Sequence, residues 1–278
     1  MKLITWNIQW ARGMDCRVDL ARIVDEARRI ADFDVLCLQE VADGFSELEG
    51  HDGGDQFAEL AALLPGYAAV EGIAVDLPGG GGRRRRFGSM ILSRLSVGRV
   101  LRHALPWDAD STTRNMPRIL LDIEVAADFG PVRVMTTHLE YFSAPLREKQ
   151  VAAIRDIYRL GVLRARRPPQ LGTGPYELGG MPAATVLTGD FNMRPDDPVK
   201  RSLSEPVGDV HGLADAWESL HPDVAHPPSF CIADQKFGEP HCCDFVLASR
   251  DLVSRLTRIG YETDTRASDH QPVLVEIC

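Results

Sequence analysis

The chain has 278 residues, 44% of them hydrophobic and 26% charged, with a formal net charge of −9. This is an ordinary globular composition with enough apolar material for a large core. The acidic balance argues against a general nucleic-acid coat protein, which would be basic, without excluding a local basic cleft.

The opening "MKLITWNIQW" is interrupted by the polar Asn7 and Gln9, so no signal peptide is expected. No apolar run approaches ~18 residues, so no membrane span is expected. Cys16, Cys37, Cys231, Cys242, Cys243 and Cys278 follow no secreted-framework spacing, and a reducing cytoplasm is the simplest location.

In chain order, residues 2–8 read as a buried strand, and Asp15 is the expected cap of the helix that follows. In that helix Leu20, Ile23, Val24, Ala27, Ile30 and Ala31 recur on one face. The apolar run 34–40 completes a strand–helix–strand unit, which predicts a βαβ-like start with a parallel pair. A short helix fits 55–64, ended by Pro65-Gly66. Strands are predicted at 87–93, 118–125 and 131–139, and Ser143 opens a helix to about 160. Residues 165–182 are rich in Pro and Gly and read as a loop. Further strands are expected at 184–190, 244–248 and 271–277, with a short helix near 212–220 that packs Leu213 and Trp217. No composition break divides the chain, so one domain is expected over residues 1–278. "PGGGGRRRRFG" at 78–88 reads as a flexible loop whose arginines are either solvated or reach for substrate phosphates.

The predicted strands end in polar side chains. The first delivers Asn7, the second Glu40, and the run 131–139 delivers His138. The run 184–190 delivers Asp190, with Asn192 two residues on; Asp244 begins another strand, and Asp269 and His270 precede the last. Singly, each has a bland reading as a core amide, a turn residue or a structural histidine. Together they lie where rigid strands release into loops, which is where function concentrates. Oxygen donors from Asp, Glu and Asn, without Cys/His ligand spacing, suit a hard cation such as Mg²⁺ or Mn²⁺. Such an ion beside carboxylates and histidines suits phosphoester hydrolysis. "EPHCCDF" lacks the second ligand pair that zinc needs, so Cys242 and Cys243 are expected to be buried thiols. Arg114 and Arg118 precede a strand and either contact substrate or solvate a loop. Trp6 fits core packing, while Trp10 is open to stacking on a base.

"TWNIQW", "LQE", "TTHLE", "TGDFNM", "CDFVLAS" and "SDHQPV" occur in the order seen in the endonuclease/exonuclease/phosphatase superfamily, which this chain resembles over residues 5–273. The resemblance implies an α/β fold, a four-layer sandwich of two packed mixed sheets flanked by helices. It implies that Glu40 is the principal Mg²⁺ ligand, with Asn7 and Asp269 at or next to the metal. Asp190 would orient or deprotonate water, and Asn192 would donate to the phosphate. His270, oriented by Asp244, would contact the phosphate, and His138 would be a second active-site histidine that protonates the leaving group. "TTHLE" resembles the deoxyribonuclease, sphingomyelinase, inositol-phosphate phosphatase and deadenylase branches rather than the abasic-site endonucleases. The expectation is a metal-dependent phosphodiesterase, with nucleic acid the preferred substrate and Arg83–Arg86 plus Arg114 a basic rim. The alternatives are an enzyme of small phosphomonoesters, inositol phosphates or sphingomyelin-like head groups, and a catalytically silent phosphate-binding module. No obligate protein partner is evident.

Overall fold

The computed structural model describes residues 1–278 apart from Asp110. The first half of the chain runs β1 (Lys2–Asn7), α1 (Leu20–Ile30), β2 (Val35–Asp43), α2 (Gln56–Leu63), β3 (Ala68–Pro78) and β4 (Arg84–Ser93). Then follow β5 (Val97–Ala104), β6 (Ile119–Ala127), β7 (Gly130–His138) and the long α3 (Ala144–Arg166). The remainder is β8 (Thr185–Asp190), α4 (Pro198–Ser202), β9 (Ala214–Asp215), α5 (Ala216–Leu220), β10 (Asp244–Ala248), α6 (Arg250–Val253), β11 (Leu256–Tyr261) and β12 (Val273–Ile277).

The strands form two six-stranded mixed sheets, ordered β11-β12-β1-β2-β4-β3 and β5-β6-β7-β8-β10-β9. Each contains a parallel pair near its centre, β1 with β2 and β7 with β8. Alternation along the strands decides the layers. Leu3, Val35, Cys37 and Ile91 of the first sheet meet Leu121, Ile123, Val134 and Val186 of the second in one buried cluster. The intervening Ile4, Trp6, Leu36 and Leu38 face outward instead and are covered by Leu20, Ile23 and Ala27 of α1 and by Phe57 and Leu60 of α2. On the other side, Leu120, Met135, Leu187 and Phe245 pack against Val151, Ile154 and Tyr158 of α3. The result is helix, sheet, sheet, helix, as the resemblance implied. Gln39 is fully buried between the sheets and donates from Nε2 to Thr5 Oγ1 (3.2 Å) and Thr136 Oγ1 (2.8 Å), one on each sheet. Among the described residues no helix is long and apolar enough to cross a membrane.

Three local expectations need correction. Asp19, not Asp15, caps α1, accepting from the Arg22 N–H at 3.0 Å; Asp15 instead pairs with the Arg22 guanidinium. Around 212–220 the helix begins only at Ala216, because Asp215 accepts from the Trp217 and Glu218 N–H groups as its cap, and Ala214–Asp215 pair with β10 as a strand. The segment 78–88 is mostly a hairpin: a short turn at Gly80–Gly82 joins β3 to β4, and Arg84–Arg86 stand in the ladder.

Candidate active site

Register brings the functional side chains to one edge of the sandwich. Because β1 and β2 are parallel, their C-terminal ends lie together, and Asn7 pairs with Gln39, the neighbour of Glu40. Parallel β7 and β8 likewise end together, with His138 opposite Asp190. Antiparallel β10 starts where β8 ends, with Asp244 opposite Asp190. Antiparallel β12 starts where β1 ends, so Asp269 and His270 just before it arrive at the same edge. The backbone is bent at these points. Glu40 (φ +60°) sits in a β-bulge between Leu38 and Val41, and Asn192 (φ +51°) follows β8. Gln9, Trp10 and Ala11 after β1 also have positive φ. Backbone of this kind is costly for residues with a side chain and collects at functional sites.

The resulting cleft holds about 310 Å³ and is lined by Glu40, His138, Asp190, Asn192, Asp269 and His270, among others. Asn7 lies beneath it, donating from Nδ2 to Glu40 Oε1 (3.1 Å) and Asp190 Oδ2 (3.0 Å), while its Oδ1 accepts the Gln9 N–H. It therefore braces two carboxylates at once. Asp190 Oδ1 accepts the Asn192 N–H at 2.9 Å, and Asn192 Nδ2 donates to the Leu139 carbonyl. His270 donates from Nδ1 to Asp244 Oδ2 at 2.9 Å, which leaves Nε2 on the Asp190 side, 3.7 Å from Oδ2. Ser229 Oγ donates to the same Asp244 oxygen at 2.7 Å. The Phe230 ring stacks on His270 with centroids 4.4 Å apart, and the Trp6 indole N–H holds the His270 carbonyl.

The electrostatics divide the two histidines. Burial disfavours a charged His270, but Asp244, Asp190 and Asp269 outweigh it and hold its pKa well above the ordinary value. His138 is pushed down to about 3 by burial and by the Arg118 guanidinium, so it is neutral near pH 7. Near neutral pH these surroundings favour His270 over His138 as the charged ring. Burial and the neighbouring Asp269 push the Glu40 carboxyl up to about 7. Burial also raises Asp269. Several buried carboxylates without a matching set of cations form a site that a hard divalent ion would neutralise, and its donors are oxygens.

Two residues gain importance from the structure. Arg118 is 6% exposed and lines the cleft; its Nε lies 3.5 Å from Glu140 Oε2, and neither Nε nor Nη1 has a hydrogen-bond partner among the described residues. A buried guanidinium with donors to spare, aimed at a cleft, is prepared for an anion. Gln9 also lines the cleft and donates from Nε2 to Asp269 Oδ2 at 2.7 Å. Its place after Asn7 in "TWNIQW" was the only sequence signal. Arg114 is exposed, with its guanidinium 4.7 Å over the ring of Phe142 at the cleft rim. The rim expected from Arg83–Arg86 is corrected. Arg83 pairs with Asp43, Arg84 with Asp76, Arg85 with Glu47, and Arg86 with Asp43, Asp55 and Glu71. Their charge is spent on acids of β2, of the segment before α2 and of β3. Cys242 and Cys243 are buried free thiols at the start of β10, and burial pushes the Cys242 thiol above its usual range.

A two-sheet α/β sandwich carrying carboxylates, amides and a carboxylate-held histidine at one edge fits a phosphoester hydrolase. Residues 4–270 match the Endonuclease/Exonuclease/phosphatase family, and the chain belongs to it. Its members hydrolyse phosphoester bonds and generally depend on a divalent metal. Solved structures of similar fold include an endonuclease/exonuclease/phosphatase from Beutenbergia cavernae DSM 12333, with a TM-score of 0.68 and 24% identity, covering 100% of this chain and 71% of that one. A mannosyl-6-phosphatase of Bacteroides thetaiotaomicron VPI-5482 has a TM-score of 0.64 and 17% identity, covering 100% of this chain and 99% of the other. The human Nocturnin catalytic domain with bound sulfate has a TM-score of 0.63 and 16% identity, covering 100% and 93%. No curated protein matches the chain by sequence.

Proposed function

We propose that the chain is a single-domain, Mg²⁺- or Mn²⁺-dependent phosphodiesterase whose preferred substrate is nucleic acid, working in the cytoplasm. The observation that carries the reading is Arg118, whose Nε and Nη1 make no hydrogen bond among the described residues, beside the Glu40–Asp190–Asp269 carboxylates and His270, a pairing of anion and cation demands that a metal-bound phosphate meets at once. Glu40 and Asp269 would hold the ion. Asn7 would lie beside it, keeping Glu40 and Asp190 in register, because its amide nitrogen rather than its oxygen faces them. The ion would polarise the phosphoryl group and steady the leaving oxygen.

The remaining roles fall to the chain's own groups. Asp190 orients water and accepts its proton, held in place by Asn7 Nδ2 and the Asn192 N–H. Asn192 Nδ2 uses one hydrogen on Leu139 and has a second for a phosphate oxygen. Arg118 donates to the same group as charge grows in the transition state. His270, charged by Asp244, contacts the phosphate and is the proton donor the site offers to the leaving oxygen; neutral His138 orients Asp190. The free thiols at all six cysteines support a reducing compartment.

Purified protein should hydrolyse at least one of plasmid DNA, RNA, sphingomyelin, inositol phosphates and nucleotides in the presence of Mg²⁺ or Mn²⁺. Glu40→Ala and His270→Ala should each cut turnover by about 10²-fold or more with circular dichroism unchanged. Full activity in both variants would sink the assignment, and binding of these esters without hydrolysis under either metal would favour a silent binding module.

A further inference from the structure

A second cleft, of about 440 Å³, opens beside the catalytic one and shares Asn192, Tyr141, Phe230 and Phe237 with it. A substrate with its phosphate at Asn192 and His270 therefore has room for one organic part at this opening. Two properties of the opening select what that part is.

The first is exposed aromatic surface. Phe237 is 54% exposed, Tyr141 43% and Phe142 50%, all at the mouth of a catalytic cleft. Phe237 also extends a stack that begins in the site. It lies on Phe230 with centroids 6.1 Å apart and planes 20° apart, and Phe230 lies on His270. Large rings held in place by packing yet left open at a mouth offer flat apolar faces to a ligand.

The second is positive charge around those rings. Arg114 lies over Phe142, Lys236 Nζ is 5.5 Å from the Phe237 centroid, and Arg147 and Arg194 line the second cleft. Aromatic side chains also bind quaternary ammonium groups. Here, however, cations already stand over two of the rings, and they would repel a choline head group. The same cations attract the phosphates that flank a scissile one. Asp196 in the second cleft adds an acceptor suited to an exocyclic amine, while Asp197 Oδ1 already caps α4 by accepting the Val199 N–H. Flat faces with cations beside them fit a polynucleotide, and only an unpaired base has its face free to stack.

We propose that the second cleft receives an unpaired nucleobase adjoining the scissile phosphate, stacked against Phe237 and Tyr141, so that the substrate is single-stranded rather than duplex nucleic acid. This rests on the phosphodiesterase reading and names its substrate class.

The test separates binding from cleavage. Metal-free protein is titrated by fluorescence anisotropy with a labelled single-stranded oligonucleotide, the same strand carrying abasic sites throughout, and the duplex. Removing the bases should weaken binding about tenfold or more, and so should Phe237→Ala or Tyr141→Ala; both side chains are exposed, so the variants should fold. The duplex should bind no better than the abasic strand. Equal affinity for the base-bearing and abasic strands, or a phosphocholine ester competing better than the oligonucleotide, would overturn the inference. Cleavage is scored separately with Mg²⁺. A strand that is cleaved but bound equally well without its bases removes the base site and leaves the phosphodiesterase. Base-dependent binding without hydrolysis of any ester supports the base site and removes the phosphodiesterase.

Discussion

Glu40 shows how much a single residue carries here. It occupies left-handed backbone in a bulge, and its carboxyl is pushed from an ordinary value near 4.5 up to about 7 by burial and Asp269. A raised carboxyl favours folding while it is protonated, so the metal-free protein loses that stability as pH rises from below 4.5 through about 7. At about 1.4 kcal/mol per unit the effect reaches roughly 3 kcal/mol at most. Glu40→Gln, which stays neutral, should therefore raise the melting temperature of the metal-free protein at pH 8 and leave it nearly unchanged at pH 4. Equal shifts at both pH values would show that the carboxyl is not strained. At this scale the sequence was informative for groups at the ends of apolar runs, such as Asn7, Glu40 and Asp190, because a buried strand that stops on a polar residue is itself a signal. Gln9 carried no such signal, and Arg118, at the head of an apolar run, read equally as a substrate contact or a loop residue. Their value comes from where Glu140 and Asp269 stand in space, far away in the chain.

Among the elements, the β7–β8 pair is tightly constrained. Gly189 has φ +135°, and a Cβ there would lie 1.9 Å from the Thr137 carbonyl oxygen. The next residue is Asp190, so the close approach of these two strands sets where the carboxylate proposed to orient water stands relative to His138. Gly189→Ala should destabilise the fold by on the order of 3 kcal/mol, read from urea denaturation, and should depress turnover in whatever fraction folds. A variant as stable and active as the parent would show that the strands can separate without consequence. Element type was legible wherever both faces of a strand are buried. The strands that sequence patterns did not reveal are β3, β5, β9 and β11, and each is the edge of its sheet. Edge strands face solvent along one side, so "VGRVLRHA" and "LTRIGY" mix charge into their apolar pattern and lose the signal. The arginine-rich segment misled for a related reason: its charges looked free because their acidic partners, Asp43, Glu47 and Asp55, are distant in sequence.

For the whole molecule, a net charge of −9 coexists with a cleft region bearing Arg114, Arg118, Arg147 and Arg194. A polyanion must be drawn to that local patch against the overall field, and such attraction is screened by salt. If about three of these cations meet phosphates, the affinity for single strands should fall with a log–log slope of about −2 against salt concentration. A flat response would rule out phosphate contacts as the source of binding. The strand order has one more consequence. β1 is flanked by β2 on one side and by β12 on the other, so a strand from the first residues waits for one from the last. A growing polypeptide that has not yet reached residue 269 lacks Asp269 and His270, and its β1 backbone is open along one side. A product that stops before residue 269 therefore lacks two groups of the proposed site. The same interrupted products expose an unpaired strand, and in the cell they would depend on chaperones or proteases for disposal.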